Sequence, residues 1–102
     1  MPIFAVIMKH TPESCPMFNN DVKKKFKELV SHKEENQKKY GIKDISAYTS
    51  ILSHQIFKIV EAPSQQAVEN CLVESGFAFW NNVEILTQVQ PVEDVIKKVV
   101  GK

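Results

Sequence analysis

Residues 2–9 read PIFAVIMK and are apolar at both the odd-numbered and the even-numbered positions. Because a strand sends successive side chains to opposite faces, this pattern predicts a strand that is covered on both sides. Residues 55–62, QIFKIVEA, are also apolar on both faces. Two such strands favour the centre of a sheet, with helices over one face and a second layer over the other.

A long helix is predicted after the first strand, over roughly residues 18–40. Its apolar residues recur at spacings of three and four, which places them on one face of a helix. These residues are Phe18, Val22, Phe26, Leu29 and Val30. Either Asn19 or Asn20 is expected to cap the start of the helix, and Gly41 to end it in the left-handed conformation.

The second half of the chain contains three more strands and one more long helix. The alternation over residues 42–52 predicts a half-exposed edge strand, and Ser53-His54 is the tightest turn available for a hairpin with residues 55–62. The next helix is expected to begin at Ser64 and to bury Ala67, Val68, Cys71 and Leu72. Residues 83–89 alternate again and predict a fourth strand.

These elements follow the order βαββαβ, with a last helix from Pro91. The order predicts an α+β, ferredoxin-like domain over residues 1–102, with helices on one face of a four-stranded antiparallel sheet of strand order 4-1-3-2. The last helix is expected to turn its apolar residues inward; these are Val92, Val95, Ile96, Val99 and Val100. No segment is left to cover the second face of the sheet, so we predict a sheet-to-sheet homodimer.

The composition excludes several classes of function. The chain of 102 residues is 43% hydrophobic and 9% aromatic, which is typical of one packed domain. Its basic residues are all lysines, and without arginine specific nucleic-acid recognition is disfavoured. No apolar run is long enough for a membrane span and no signal peptide is recognisable, so we expect a soluble, cytoplasmic protein without a membrane partner. No Gly-rich phosphate loop is present, and we expect no nucleotide cofactor.

Residues 59–64, IVEAPS, residues 4–9, FAVIMK, and residues 83–86, VEIL, resemble segments of the GYD-domain family. The resemblance implies a ferredoxin-like subunit of the dimeric α/β-barrel superfamily, which pairs through its sheet. That superfamily includes haem-degrading and cofactor-free monooxygenases and muconolactone isomerase-like enzymes. The chain departs from the family at residues 53–55, where SHQ stands in place of GYD, and in the loop HTPESCP over residues 10–16.

Two histidines are predicted to meet at one corner of the sheet. His10 follows the first strand and His54 precedes the third, and in the predicted order these strands are antiparallel neighbours about 5 Å apart. The proline-restricted loop that leaves this corner carries Glu13 and Cys15. Two imidazoles with a thiolate or carboxylate are a common ligand set for zinc or copper, so His10, His54, Cys15 and Glu13 are candidate metal ligands. Such a site could support Lewis-acid or hydrolytic chemistry.

Three other interpretations of these residues stay open. The histidines could simply end strands and turns, and Cys15 could be a small buried apolar residue. Cys15 could instead be a nucleophilic or redox thiol with His10 as its base. A small-molecule-binding protein or monooxygenase-like enzyme could use an aromatic helix–sheet cleft lined by Tyr48, Phe57, Phe77, Phe79 and Trp80. His32 lies among charged residues and is expected to be solvated.

Overall fold

The computed structural model describes residues 1–101 as one four-stranded antiparallel sheet and five helices. The strands are β1 (Ile3–Lys9), β2 (Lys43–Ser50), β3 (Gln55–Glu61) and β4 (Asn82–Val89). The helices are α1 (Asn20–Ser31), α2 (Lys33–Tyr40), α3 (Gln65–Ser75), α4 (Phe77–Trp80) and α5 (Val92–Val100). The sheet order is β2-β3-β1-β4, which confirms the predicted order and is compatible with a ferredoxin-like fold.

The core lies between one face of the sheet and α3. Phe4, Val6 and Met8 alternate along β1 and are almost fully buried. Val60 of β3 and Leu72 of α3 belong to the same hydrophobic cluster. The predicted cap is present, because the Ser64 hydroxyl accepts a hydrogen bond from the backbone N–H of Ala67 at 3.1 Å. The helix side of β1 is therefore covered by the chain itself, as predicted.

The other face of the sheet has no cover from the described residues. Phe57, Ile7 and Ile85 are paired side by side across β3, β1 and β4, and both Phe57 and Ile85 are exposed. Helix α5 was expected to turn its apolar residues inward, and this expectation is wrong, because no residue of α5 is buried. The radius of gyration, 15.3 Å, exceeds the roughly 13 Å typical of a compact chain of about 100 residues. The chain thus leaves two apolar surfaces unpaired, the open face of the sheet and α5.

The predicted helix over residues 18–40 is divided at His32, whose ψ angle of 5° leaves the helical region. The apolar stripe stops at Val30, so the second half has no hydrophobic face to hold it in line with the first. Polar contacts hold α2 instead, including an ion pair of 3.1 Å between Lys33 and Asp44. Phe18 was predicted in the stripe but precedes the helix and is 71% exposed. Asn19 caps α1 through its side chain, as predicted.

Two strand details also differ from the predictions. The hairpin turn is longer than Ser53-His54 and covers residues 51–54. In β4 an extra residue shifts the register, so that Ile85 pairs with Ile7 while Val83 pairs with Met8 and packs against the core. A bulge of this kind reverses the alternation, which a strict period of two cannot foresee.

Within residues 1–101, the helices are all too short or too polar to cross a lipid bilayer.

Candidate metal centre

His10 and His54 lie together at the corner where β1 ends and β3 begins. The register pairs Lys9 with Gln55, and beyond this pair the backbone N–H of His10 donates to the carbonyl of His54 at 3.0 Å. The two ring centroids are 5.2 Å apart, with the rings at 72°. His54 has a φ of 55°, the left-handed conformation that ends the turn. The predicted proximity of the two histidines is therefore confirmed.

Cys15 reaches the same corner from the loop after β1. A short 3-10 turn over Pro12–Ser14 precedes it, and the backbone N–H of Cys15 donates to the carbonyl of Pro12 at 3.2 Å. Its own carbonyl accepts hydrogen bonds from Phe18 and Asn19, which ties the loop to the start of α1. Cys15 is only 4% exposed and forms no disulfide. The loop therefore holds the thiol inside the protein rather than at the surface.

One donor atom from each of His10, Cys15 and His54 lies within 4.8 Å of the other two. A tetrahedral zinc ion at its usual bond lengths needs donors about 3.5 Å apart, so a side-chain movement of about 1 Å would close the site. His10 and Cys15 are buried and His54 is half-buried, so the three donors meet beneath the surface. This arrangement differs from the exposed acidic clusters that are common on protein surfaces.

Asn81 orients the ring of His10. The Asn81 Oδ1 atom lies 3.1 Å from His10 Nδ1, while the Asn81 amide nitrogen donates to the carbonyl of Phe77 at 3.1 Å. The amide nitrogen is thus engaged elsewhere, so Oδ1 accepts and His10 Nδ1 donates. With the proton on Nδ1, the Nε2 atom keeps a free lone pair. This tautomer of histidine can bind a metal through Nε2. Asn81 is not among the residues predicted from the sequence, although its position just before β4 places it beside the end of β1.

The burial of this corner favours neutral imidazole. Burial lowers the pKa of His10 below its ordinary 6.5, the hydrogen bond with Asn81 opposes this, and the nearby His54 lowers it further. His10 Nε2 and His54 Nδ1 are both buried without a hydrogen-bond partner in the described part of the chain. Buried polar atoms are normally paired, so two orphaned nitrogens beside a buried thiol fit a site built for an ion.

The remaining candidates from the sequence lie elsewhere. Glu13 is exposed in the 3-10 turn and is not part of the converging group, so its predicted role as a ligand is not supported by the geometry. His32 is exposed, as predicted, and lies 3.7 Å from Glu35. Cys71 is a free thiol on the buried face of α3, where desolvation raises its pKa. The candidate site is thus formed by three of the four predicted ligands.

A groove of about 430 Å³ opens from the corner that holds His10 and His54 and runs along the face of the sheet beneath α1. We call it the α1 groove; it is bordered by α1, by β2 and β3, and by the Cys15 loop. Of the aromatic residues predicted to line a cleft, Phe77 and Trp80 do so, while Tyr48 borders the groove but is 72% exposed and is paired with Phe57 across β2 and β3. Phe57 instead lies on the open face of the sheet, and Phe79 is 81% exposed beside Lys25. Two of the five predicted aromatic residues thus line the groove, and Tyr48 lies at its border.

Comparison with protein-family models gives no match for this chain, and neither the curated proteins nor the solved structures contain a match. The resemblance to GYD-domain proteins therefore stays a prediction.

Proposed function

We propose that this protein binds a transition-metal ion, zinc or copper, through His10 Nε2, His54 Nδ1 and the Cys15 thiolate. The observation that carries the proposal is the convergence of the three donor atoms to within 4.8 Å at a buried corner. Their chemistry agrees with it, since imidazole suits zinc and copper, and thiolate selects zinc or copper(I). The hydrogen bond from His10 to Asn81 adds the outer-shell support that metal-bound histidines almost always have.

Three protein ligands are the number found in catalytic zinc sites, where a fourth position holds water or substrate. Structural zinc sites are almost always closed by four protein ligands. The group proposed here has three, and it faces the α1 groove, because all three residues line that groove. We therefore propose that the metal acts as a Lewis acid, in hydrolysis or a related reaction, on a molecule in the α1 groove.

The test is a calorimetric titration of the metal-free protein with zinc and with copper, repeated on His10→Ala, His54→Ala and His32→Ala. We expect one metal ion per chain in the wild type, and loss of one of three ligands to weaken binding by about a hundredfold or more. That figure corresponds to about 3 kcal/mol per ligand, which is roughly one quarter of the apparent binding free energy of a zinc site with four ligands. His32→Ala is the matched control, since it removes an exposed imidazole. If His10→Ala and His54→Ala bind the metal with the same affinity as the control His32→Ala and the wild type, the proposal is refuted.

A second candidate function is small-molecule binding, or monooxygenase-like chemistry, without a metal. The α1 groove favours it, because its volume lies within the range of about 300–1,000 Å³ that small-molecule sites occupy, and its walls are largely apolar. Elemental analysis of the purified protein discriminates between the two, since stoichiometric zinc or copper supports the metal centre and its absence favours the second candidate.

We further propose that the protein is a homodimer of the GYD-like, dimeric α/β-barrel type, paired through the open face of its sheet. The support is the row of Phe57, Ile7 and Ile85, in which Phe57 and Ile85 are exposed and Ile7 is half-buried, together with the unpaired apolar residues of α5. A second copy would bury both surfaces. Large exposed apolar patches on a protein commonly mark a surface that binds another protein. We also place the protein in the cytoplasm, where its two unpaired cysteines would stay reduced.

A further inference from the structure

The α1 groove is positively charged at the end away from the corner that holds His10 and His54. Its lining includes Lys33 and Lys58, and among the described residues it includes no aspartate or glutamate. Both ammonium groups contact the same carboxylate, Asp44, each at 3.1 Å. Two cations against one anion leave a surplus of one positive charge. Each ammonium has three N–H donors, so donors remain for a further acceptor.

This charge is held in place and partly shielded from water. The Lys58 side chain is only 16% exposed, and the Asp44 carboxylate that orients it is 19% exposed. Burial alone would raise the pKa of Asp44, but the Lys58 ammonium and its hydrogen bonds hold this pKa below its ordinary value. The Asp44 carboxylate therefore stays ionised at neutral pH and holds the Lys58 ammonium in place. A partly buried cation is screened less by salt than a surface lysine, so it attracts an anion more strongly.

The register of β3 sets the distance between the two polar ends of the α1 groove. Ile56 and Lys58 lie on the same face, and the metal-site residue His54 immediately precedes the strand. At about 3.3 Å per residue, the three steps from Gln55 to Lys58 span about 10 Å. Apolar side chains, including Ile56, Val30 and Phe77, line the groove between the two ends.

We propose that the α1 groove binds an elongated, largely apolar carboxylate. The carboxylate lies between the ammonium groups of Lys33 and Lys58, and the apolar body lies along Ile56 and Phe77. The opposite end of the molecule reaches the His10–Cys15–His54 group, where an oxygen, nitrogen or sulfur donor completes the coordination of the metal. This last contact rests on the proposed metal site, whereas the anion-binding end does not.

The probes are octanoate, which has the acidic head and an apolar chain, and octan-1-ol, which has the same chain without the charge. Binding of each is measured by calorimetry on metal-free wild-type protein and on Lys33→Gln, Lys58→Met and Lys38→Met. Lys38 is an exposed lysine of α2 that does not line the groove, so its variant is the matched control. We expect the wild type and Lys38→Met to prefer octanoate by about tenfold, which corresponds to one charge-assisted hydrogen bond of about 1.4 kcal/mol.

Lys58→Met should abolish the preference for octanoate while octan-1-ol binds as before. Lys33→Gln, at a more exposed position, should reduce the preference, and it serves as the test if Lys58→Met folds poorly. Equal binding of the two probes by the wild type, or an unchanged preference in both variants, would overturn the anion site.

The contact with the metal is tested separately with 8-mercaptooctanoate, whose thiol lies at the far end of the chain. Zinc loading should tighten its binding by at least about tenfold and leave octanoate unaffected. Equal affinities for 8-mercaptooctanoate with and without bound zinc would overturn the two-ended arrangement. If zinc alone fails to bind while octanoate is still preferred, the proposed metal function fails and the anion site stands.

Discussion

Asn81 is the residue whose replacement best separates a metal site from a chance meeting of two histidines and a cysteine. It is 5% exposed and is not one of the three proposed ligands, but its Oδ1 atom accepts a hydrogen bond from His10 Nδ1 at 3.1 Å. Replacing it with alanine removes this bond and lets the ring rotate. Loss of such outer-shell partners typically weakens metal binding 10- to 100-fold. Asn81→Ala should therefore bind zinc more weakly although all three ligands are present.

The size of the effect on thermal stability follows from linkage. At a zinc concentration of about 100 times the dissociation constant, bound metal stabilises the folded wild type by about 2.7 kcal/mol. At the same zinc concentration, an affinity 10- to 100-fold lower leaves about 1.4 to 0.4 kcal/mol. For a domain of this size, each kcal/mol moves the midpoint of unfolding by about 4–8 °C. The zinc-induced rise in Tm should thus fall from about 11–22 °C to about 2–11 °C.

The assay is thermal unfolding followed by circular dichroism, with and without zinc, and with magnesium in place of zinc. Asn82→Ala is the control, because this exposed neighbour in β4 takes no part in the His10 contact. Comparing the zinc-induced rise in Tm, rather than Tm itself, removes any loss of stability that the substitution causes in the metal-free protein. If zinc raises the Tm of Asn81→Ala as much as that of the wild type, the assigned role of Asn81 is wrong. If zinc leaves the wild-type Tm unchanged, the metal site is wrong.

Two further predictions concern the surface and the charges. Phe57→Lys places a charge in the centre of the open face. Light scattering should therefore give the monomer mass for this variant, and the dimer mass for the wild type and for the control Phe79→Lys. A dimeric Phe57→Lys would contradict the interface. Asp44 has a folded-state pKa below its ordinary 3.8, so its contribution to stability is present above that pH and is lost as pH falls through the folded value. Urea unfolding between about pH 3 and 6 should show a smaller fall in the free energy of unfolding for Asp44→Asn than for the wild type, and equal falls would contradict the assignment.

Much of the fold was predictable because its signals are local. The alternation along residues 2–9 and the caps at Asn19 and Ser64 depend on residues near one another in the chain, and the structure has each of them. The meeting of His10 and His54 is a long-range feature, yet it was predictable because antiparallel pairing of β1 and β3 brings the end of one strand to the start of the other. Cys15 was a predictable candidate because its loop leaves this corner, but the same loop carries Glu13, and only the structure shows that Cys15 and not Glu13 joins the group.

Other features were not predictable because they depend on which surfaces meet. Helix α5 has a clear apolar face, but this pattern says only that the face needs a partner; the chain's own core is already filled by α3. The predicted strand order already places Asn81 beside the end of β1, but a lone asparagine before a strand gives no sign that its side chain contacts His10. The paired lysines of the α1 groove were missed for the same reason, since Lys33 and Lys58 belong to different elements.

By itself, the sequence determined the strands, most of the helices, their order and hence the corner where two imidazoles and a thiol meet. These features follow from the spacing of the hydrophobic residues and from helix capping, both of which depend on residues that lie close together in the sequence. Only the tertiary structure decided which atoms face one another: the free nitrogens of His10 and His54, the support from Asn81, and the charged far end of the α1 groove. The physical reason is that burial and side-chain direction depend on packing between distant elements, so one bulge in β4 or one bend at His32 redirects the side chains that follow.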